Sequence, residues 1–513
     1  MRFFNGLLFP ICAAITLPHI APDQAIGQSV RNERLKILAA DGARGDEFGF
    51  AVAISGTTAV VGAVNDDDNG FNAGVAFLFD VNTGTQIAKL LPSDGAELDE
   101  FGSSVGISGS TAIVGAYADD DNGSLSGSAY LFDATNGRQI VKLLPSDGVE
   151  GDLFGWSVGI SGSTAIVGSL RDLVRGLGDA GSAYLFNADT GTQLARLVPK
   201  DSKWGAEFGC SVALSGSIAI VGARLDGTFR EPNRGSAYLF DVTTASQIAK
   251  LRPRDVAEGD LFGSSVAISG SFAIVGASSD DDNGTDSGSA YLVDISDPAA
   301  PVEIAKLLPR DGAASDFFGS SVAISDSTAI VGASRSADNG LSSGSAYLFD
   351  VATGLQIVKL LPSDGAAGDR FGNAVAISGA TAVVGALYDD DNGTDSGSTY
   401  LFDASGSPPP NLTLEFSGDC PGQGSFTVTN ATAGGNVAIV HGFGVGPTHI
   451  PDTFPCAGTL LNMDKPQLSW SIISADGEGV AVLDTDLPPI ACGQLQVQAL
   501  DMTTCEISNL IRQ

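Results

Sequence analysis

The residues best suited to chemistry in this sequence are aspartates that stand in short runs ending in Asn-Gly. The run D-D-D-N-G occurs four times, and a reduced form, D-N-G, begins at Asp338. Carboxylates and asparagine carbonyls are oxygen ligands that calcium prefers, and glycine permits a tight backbone turn around an ion. The pattern predicts calcium sites with these ligands: Asp66, Asp67, Asp68, Asn69, Asp119, Asp120, Asp121, Asn122, Asp280, Asp281, Asp282, Asn283, Asp389, Asp390, Asp391 and Asn392.

The same runs are also typical of solvated turns, because Asp and Asn beside Gly are good turn formers. Their register does not fit an EF-hand loop. Only the first copy places Asn65, Asp67 and Asn69 at ligand-like spacing, and its twelfth position is Ala76 rather than Glu. The sequence therefore leaves two interpretations open, a calcium site and a solvated turn.

A second acidic set surrounds a recurrent Phe-Gly pair. One aspartate precedes each pair by seven residues, and in six copies another precedes it by two. The latter is expected to cap backbone N–H groups of its turn. In the first copy it completes the tripeptide Arg44-Gly45-Asp46, but Gly-Asp fills the same slot elsewhere, so we interpret this R-G-D as coincidence. The set comprises Asp41, Asp94, Asp147, Asp201, Asp255, Asp311 and Asp364, and then Asp46, Asp99, Asp152, Asp260, Asp316 and Asp369.

The sequence contains few candidate catalytic residues. The three histidines are His19, His441 and His449, so the repeat region holds none, which excludes histidine-based catalysis there. Paired carboxylates could hydrolyse glycosides, yet duplication alone produces aspartates in equivalent loops. No phosphate loop, zinc spacing or nucleophile elbow is present. We predict no catalytic residue and no enzymatic activity.

The elements that position these aspartates come from an internal repeat. Phe-Gly recurs at Phe48, Phe101, Phe154, Phe208, Phe262, Phe318 and Phe371. In the second copy, residues 101–108 alternate as a strand, T-A-I-V-G-A (111–116) reads as a buried strand, and residues 128–133 and 139–145 supply two more. Each repeat is thus predicted to be a four-stranded meander.

Sheets that are apolar on both faces must stack, and radial stacking leaves only short edges, as in a β-propeller. The segment Leu35–Asp41 matches a fourth strand without the first three, whereas the last copy, Phe371–Asp403, has no fourth strand. We predict an all-β chain with a seven-bladed β-propeller of four-stranded blades over residues 34–404, closed by the N-terminal strand. In a meander, the connections after strands two and four emerge on one face, so both acidic sets should share one rim.

The motif F-G-x-S-V-x-I-S followed by A-I-V-G-A resembles the FG-GAP repeat of integrin α-chain propellers and of many bacterial exported proteins. The resemblance implies the propeller fold and a role in adhesion or ligand binding. Family members that bind calcium use a D-x-D-x-D-G loop between the first two strands. Here that connection is Ser-Gly-Ser or a close variant such as Ser55-Gly56-Thr57, so the family's calcium site is absent.

The chain ends point to export. Residues 1–27 read as a secretory signal peptide that contains Cys12, and no later segment is apolar for long enough to insert in a membrane after its cleavage. Residues 405–411 form a linker that contains S-G-S-P-P-P. Cys210 is expected to be an unpaired strand residue.

Residues 412–513 are predicted to form a small disulfide-bearing β-sandwich, similar to short C-terminal domains with G-D-C-P-G and C-x-G-T motifs on bacterial exported proteins. Its strand candidates begin at Leu412, Ser425, Asn436, Gln467, Gly479 and Leu495. His441 and His449 read as strand or loop residues. Three pairings of Cys420, Cys456, Cys492 and Cys505 are open, and Cys492 with Cys505 is our choice among them.

The net charge of −34 disfavours nucleic acid and anionic lipid as partners. The prediction is a secreted or cell-surface, non-enzymatic binding or adhesion propeller with an acidic face, whose partner is a protein or polysaccharide. Two alternatives remain open: a carbohydrate-active enzyme with paired carboxylates, and a structural surface-layer component. Neither the ligand nor the oligomeric state follows from the sequence.

Overall fold

The computed structural model describes residues 30–406, apart from 175, 228–231 and 254, and beyond residue 412 it describes strands alone. Residues 29–410 form one compact unit, and residues 411–513 belong to a second. The predicted signal peptide and most of the predicted linker lie outside the described residues. No described residue is helical, in agreement with the predicted all-β class.

Seven sheets in succession form the blades of the predicted propeller. Two short strands precede them, β1 (Val30–Arg31) and β2 (Leu35–Ile37). The blades are, in chain order: blade 1, β3 (Phe48–Ser55), β4 (Thr58–Ala63), β5 (Val75–Asp80), β6 (Thr85–Leu90); blade 2, β7 (Phe101–Ser108), β8 (Thr111–Ala116), β9 (Ser128–Asp133), β10 (Arg138–Leu143); blade 3, β11 (Phe154–Ser161), β12 (Thr164–Ser169), β13 (Ser182–Asn187), β14 (Gln193–Leu197); blade 4, β15 (Phe208–Ser215), β16 (Ile218–Ala223), β17 (Ser236–Asp241), β18 (Ser246–Leu251); blade 5, β19 (Phe262–Ser269), β20 (Phe272–Ala277), β21 (Ser289–Asp294), β22 (Val302–Leu307); blade 6, β23 (Phe318–Ser325), β24 (Thr328–Ala333), β25 (Ser345–Asp350), β26 (Gln356–Leu360); blade 7, β27 (Phe371–Ser378), β28 (Thr381–Ala386), β29 (Ser398–Asp403).

Each blade is an antiparallel meander whose second and third strands are buried on both faces. In blade 2, β8 pairs in continuous register with β9, from Thr111 opposite Asp133 to Ala116 opposite Ser128. The ring of Phe101 packs edge-to-face on Tyr130, with 5.5 Å between ring centroids, and this pair recurs with Tyr or Phe in the other blades. Such pairs stabilise cores beyond the area they bury.

Neighbouring blades approach closely at a glycine of the second strand. A Cβ on Gly115 would lie 2.1 Å from the carbonyl oxygen of Gly155 in the next blade. Gly155 itself has φ +93°, a conformation that L side chains rarely adopt. These two glycines explain why V-G and F-G occur in all seven copies of the repeat.

The N-terminal strand closes the ring, as predicted. β2 pairs antiparallel with β29, from Leu35 opposite Leu401 to Ile37 opposite Thr399, and becomes the fourth strand of blade 7. Phe48 of blade 1 bridges Gly397 of blade 7, as Phe154 bridges Gly127 between blades 2 and 3. β1 was not predicted. It pairs in parallel with β26 and gives blade 6 a fifth strand.

The C-terminal unit contains two larger antiparallel sheets and one two-stranded pair. The first consists of β30 (Thr413–Gly418), β31 (Gly422–Thr429) and β36 (Ala481–Leu487). The second consists of β32 (Asn436–Phe443), β35 (Ser469–Ser474), β37 (Leu495–Asp501) and β38 (Ile511–Arg512), and β33 (Thr448–His449) pairs with β34 (Leu460–Leu461). All six predicted strands are present. The four cysteines of the predicted disulfides lie outside the described residues.

Candidate functional site

The two acidic sets of connections meet on one face of the propeller, as the meander topology predicts. In blade 2, Lys142 of β10 lies between them. Its Nζ is 2.9 Å from Asp94, which follows the fourth strand of blade 1, and 2.9 and 2.5 Å from Asp119 and Asp121, which follow β8. A basic side chain of the fourth strand therefore joins the connections of two neighbouring blades.

The same Lys142 ammonium lies over an aromatic ring, 5.1 Å from the ring centroid of Tyr130, whose hydroxyl donates to Asp119 at 2.9 Å. Burial acts to lower the pKa of Lys142, but its bonds to Asp121, Asp119 and Asp94 outweigh burial and raise that pKa. Burial acts to raise the pKa of Asp119, and the bonds from Lys142 reverse this and lower it. Both partners are therefore charged at neutral pH.

This arrangement, which we call the cation cluster, recurs in every blade. Each cluster consists of a fourth-strand Lys or Arg with the aspartates that contact it, and blade 3 has Arg196 in place of lysine. The clusters are Lys89 with Asp41, Asp66 and Asp68; Lys142 with Asp94, Asp119 and Asp121; Arg196 with Asp147 and Asp172; Lys250 with Asp201 and Asp226; Lys306 with Asp255, Asp280 and Asp282; Lys359 with Asp311 and Asp338; and Lys36 with Asp364, Asp389 and Asp391.

The members of each D-D-D-N-G run have separate roles. The first aspartate is buried and binds the cation, whereas the third is about half exposed and binds it from the solvent side. The second is exposed and accepts a bond from the backbone N–H five residues later, as Asp120 does from Leu125 at 2.8 Å. In blade 7 the Asn392 amide donates to the carbonyl of Ala39 at 3.2 Å. The runs are thus turns, but their first residue is not solvated.

A calcium ion does not fit the centre of a cation cluster while the basic side chain occupies it. The carboxylate oxygens that would coordinate the ion already accept from an ammonium or guanidinium group, and calcium would bring a second positive charge to the same point. Within the described part of the chain, no group of three or more acidic, histidine or cysteine side chains is arranged to hold a metal ion. Calcium binding by these runs stays a prediction.

The aspartate two residues before Phe-Gly caps its own turn, as expected. Asp99 accepts a bond from the Ala96 N–H at 2.7 Å, and Asp46 accepts one from Ala43 at 2.6 Å. Burial raises the pKa of each of these two carboxyl groups to about 6. Because Asp46 is buried and bonded to its own loop, the R-G-D tripeptide does not present its carboxylate, which supports coincidence.

The residue just before each Phe-Gly forms a further set at the inner edge of this face, because the strands that follow contact one another from blade to blade. These residues have positive φ: Glu47, Glu100, Leu153, Glu207, Leu261, Phe317 and Arg370. Several contact a partner after the second strand of their own blade, such as Glu207 with Arg224 at 2.6 Å. Burial, and then the charge of Asp395, raises the pKa of Glu47 to about 7. The sequence did not reveal this acid.

Cys210 is buried and unpaired, as predicted, and burial raises the pKa of its thiol to about 11. His441 and His449 lie in strands, as the sequence suggested. The described residues contain no helix that is long and apolar enough to cross a membrane.

Seven segments of the chain match the family described as FG-GAP repeat. They are residues 32–79, 85–132, 138–186, 192–240, 245–293, 301–349 and 355–402. Each match runs from the fourth strand of one blade through the third strand of the next, so the matches cover the whole ring. A search of curated proteins finds no match to the chain.

Proposed function

Because the chain belongs to the FG-GAP repeat family, we propose that it is an exported, non-enzymatic propeller that binds a protein or polysaccharide ligand in cell-surface adhesion. One observation carries the proposal: every blade directs two connections to the same face and joins them to the neighbouring blade through a cation cluster. A face held in this way is pre-organised, which reduces the entropy lost when a ligand binds.

The chemistry of the face favours binding over catalysis. The carboxylates of the cation clusters are committed to basic side chains, and the propeller sequence holds no histidine to act as a general base. Glu47 and Glu100 stand at equivalent positions of adjacent blades, and each is bonded within its own blade, Glu47 to Asn65 and Glu100 to the Tyr117 hydroxyl. Their neighbours therefore hold both acids in place.

The second aspartates of the runs supply the outward charge of the face. Asp67, Asp120, Asp281 and Asp390 are exposed and make no ion pair with another described residue. Like-signed charges on one face raise the local potential and attract a basic partner surface, with a strength that falls as salt is added. We therefore expect a rise in ionic strength to weaken the binding of a basic protein ligand more than the binding of a neutral polysaccharide.

The experiment compares two charge-matched double variants. Asp120→Asn with Asp390→Asn removes two charges from the proposed face. Asp189→Asn with Glu303→Gln removes two exposed charges elsewhere on the propeller. Asp189 lies in the turn between β13 and β14 of blade 3, and Glu303 lies in β22, the outer strand of blade 5. The mature chain, residues 28–513, is tested by biolayer interferometry against immobilised basic proteins, cellulose, starch and xylan. Reducing-end release from the polysaccharides is assayed in parallel.

We expect a saturable ligand whose affinity falls in the first variant and not in the second. Loss of affinity in both variants alike, or in neither, would overturn the assignment of the face. Release of reducing ends would support the carbohydrate-active alternative instead. Absence of any ligand, together with self-association on sizing, would favour the surface-layer alternative.

A further inference from the structure

The connections of blades 3 and 4 break the repeat on the binding face. Neither blade has the D-D-D-N-G run. The connection into blade 4 reads D-S-K-W-G-A-E, so Lys203, Trp204 and Ala206 stand where the connection into blade 2 has Ala96, Glu97 and Asp99. Gene duplication explains residues that recur in every blade, but it does not explain residues found in one blade alone. Such residues are therefore candidates for a specific ligand site.

These connections line an open cleft of about 590 Å³, a volume within the range of ligand pockets. Its polar and aromatic lining consists of Arg171 and Asp179 from blade 3, Lys203, Trp204 and Glu207 from the connection into blade 4, and Asn233 from blade 4. Glycines 205 and 227, Leu225 and Pro232 complete the wall. The cleft therefore combines one large aromatic surface with several hydrogen-bonding groups.

Trp204 is 73 % exposed, which is unusual for a side chain whose burial would contribute much to stability. The Gly205 N–H donates to the carbonyl of Gly178 at 3.0 Å and ties the tryptophan loop to blade 3. The edge of the indole lies over Gly178, where an added Cβ would be 3.3 Å from Nε1. The loop is thus fixed while most of the indole surface stays open to the cleft.

The polar lining offers both donors and acceptors. Arg171 is exposed and forms no ion pair within the part of the chain that the structure describes. Lys203 binds the buried Asp226 at 2.5 Å, and Arg224 holds Glu207 at 2.6 Å. Asp179 and Asn233 are exposed. Hydroxyl groups, which both donate and accept, suit such a mixed lining.

We infer that this cleft binds a neutral saccharide, with a sugar ring stacked on the indole of Trp204 and its hydroxyls bonded to Arg171, Asp179 and Asn233. The C–H groups of a pyranose face are weakly positive and match the negative face of an indole. An anionic polysaccharide fits less well, because the chain carries a net charge of −34 and Asp179 lines the cleft. The inference rests on the proposed binding function and gives it a location.

The test is a titration of the mature chain with cellohexaose, maltoheptaose and xylohexaose, in which tryptophan fluorescence and calorimetry report binding. Hexagalacturonate is the acidic oligosaccharide for comparison. At least one neutral oligosaccharide should bind saturably. Trp204→Ala should weaken it by about tenfold or more, and Arg171→Gln should weaken it by a smaller factor. Phe71→Ala and Arg44→Gln are matched controls, because both residues are exposed on the same face outside the cleft.

Equal affinity in the wild type and in Trp204→Ala would overturn the assignment of the cleft while leaving a binding propeller intact. Binding of hexagalacturonate alone would overturn the neutral ligand class. A wild type that binds no neutral oligosaccharide would overturn this inference. The proposed function would then be decided by the binding assay with immobilised basic proteins. Melting temperatures of all variants exclude unfolding as the cause of lost binding.

Discussion

The ammonium of Lys142 lies 2.9 Å from the carboxylate of Asp119, which is buried. A buried carboxylate is costly unless it is paired and hydrogen-bonded, and here it has both the ammonium and the Tyr130 hydroxyl. Every blade carries a cation cluster, although blade 1 has Phe77 in place of Tyr130 and blade 6 has Ser336 in place of Asp119, so that Lys359 binds Asp338 there. The acidic loops of this propeller are therefore closed by a cation that belongs to the chain itself.

Removing that cation should destabilise the propeller. Lys142→Met leaves Asp119 buried beside Asp94 and Asp121 without its positive partner. Loss of one partner of a buried ion pair costs on the order of 3 kcal/mol in free energy of unfolding. The measurement is equilibrium unfolding in guanidinium chloride.

Two further variants identify the cause. Lys142→Arg should retain most of the stability, because Arg196 fills the equivalent position in blade 3. Asp119→Asn added to Lys142→Met should recover part of the loss, since it removes the unpaired charge. If Lys142→Met were as stable as the wild type, the cation cluster would have no structural role.

The pH dependence of stability should have an unusual direction. Burial raises the pKa of Asp99 to about 6, above the value of about 3.9 in an unfolded chain, so the stability that it contributes is lost as the pH rises from about 4 to 6. At Asp226, burial acts to raise the pKa, but bonds from Lys203 and Lys250 outweigh it and hold the pKa at about 2, so that stability is lost only below pH 4. The melting temperature should therefore be higher at pH 4 than at pH 7.

Asp99→Asn checks this mechanism, because asparagine still accepts the bond from the Ala96 N–H and cannot ionise. Between pH 4 and pH 7, the melting temperature of the variant should fall by less than that of the wild type. Asp189→Asn, at an exposed site, should leave the decline unchanged. A wild-type melting temperature that rises from pH 4 to 7 would contradict the expected direction.

Closure of the ring should depend on the N-terminal strand. A chain that begins at Asp41 lacks β2 and Lys36, and so loses the fourth strand and the cation of blade 7. Compared with a chain that begins at Asn32, which lacks β1 as well but keeps β2, it should melt at a markedly lower temperature, and the amides of β29 should exchange faster with solvent. Equal melting of the two chains would show that blade 7 does not need β2.

Adding one methyl group at the contact between two blades should destabilise the propeller. Gly115→Ala places its Cβ 2.1 Å from the backbone oxygen of Gly155, which cannot move without shifting the next blade. We expect a loss of about 3 kcal/mol or more in free energy of unfolding. Gly106→Ala is the matched control, because five other blades have alanine at that position, as at Ala53 and Ala376. Equal effects of the two substitutions would argue against the close approach.

Most of the fold could be predicted because its causes are local and repeated. The Phe-Gly spacing, the apolar run T-A-I-V-G-A and the missing fourth strand after Asp403 specify blades, core and closure. β1 could not be predicted, because two residues that pair in parallel with β26 leave no periodic pattern. The positive φ of Glu47 was also hidden, since the conformation comes from the bulge at Phe-Gly rather than from the residue type.

The candidate site was predicted only in part. The two acidic sets do share a face, but the lysine between them was missed, although a basic residue recurs in every fourth strand, as at Lys89 and Lys142. A charge repeated in an otherwise apolar strand signals a fixed partner. Trp204 was also missed, because a single departure from the repeat becomes meaningful only when the cleft around it is seen.

Basic side chains of the chain itself contact the aspartates of the acidic loops, and thermal unfolding tests directly whether calcium is also needed there. The melting temperature of residues 28–513 is measured in excess EDTA, in millimolar calcium and in millimolar magnesium. A native-state ligand at about 100 times its dissociation constant adds about 2.7 kcal/mol of stability, which such a measurement detects. We expect the same melting temperature in all three conditions. A rise specific to calcium would contradict closure by the chain's own cations and identify the D-D-D-N-G runs as ion sites.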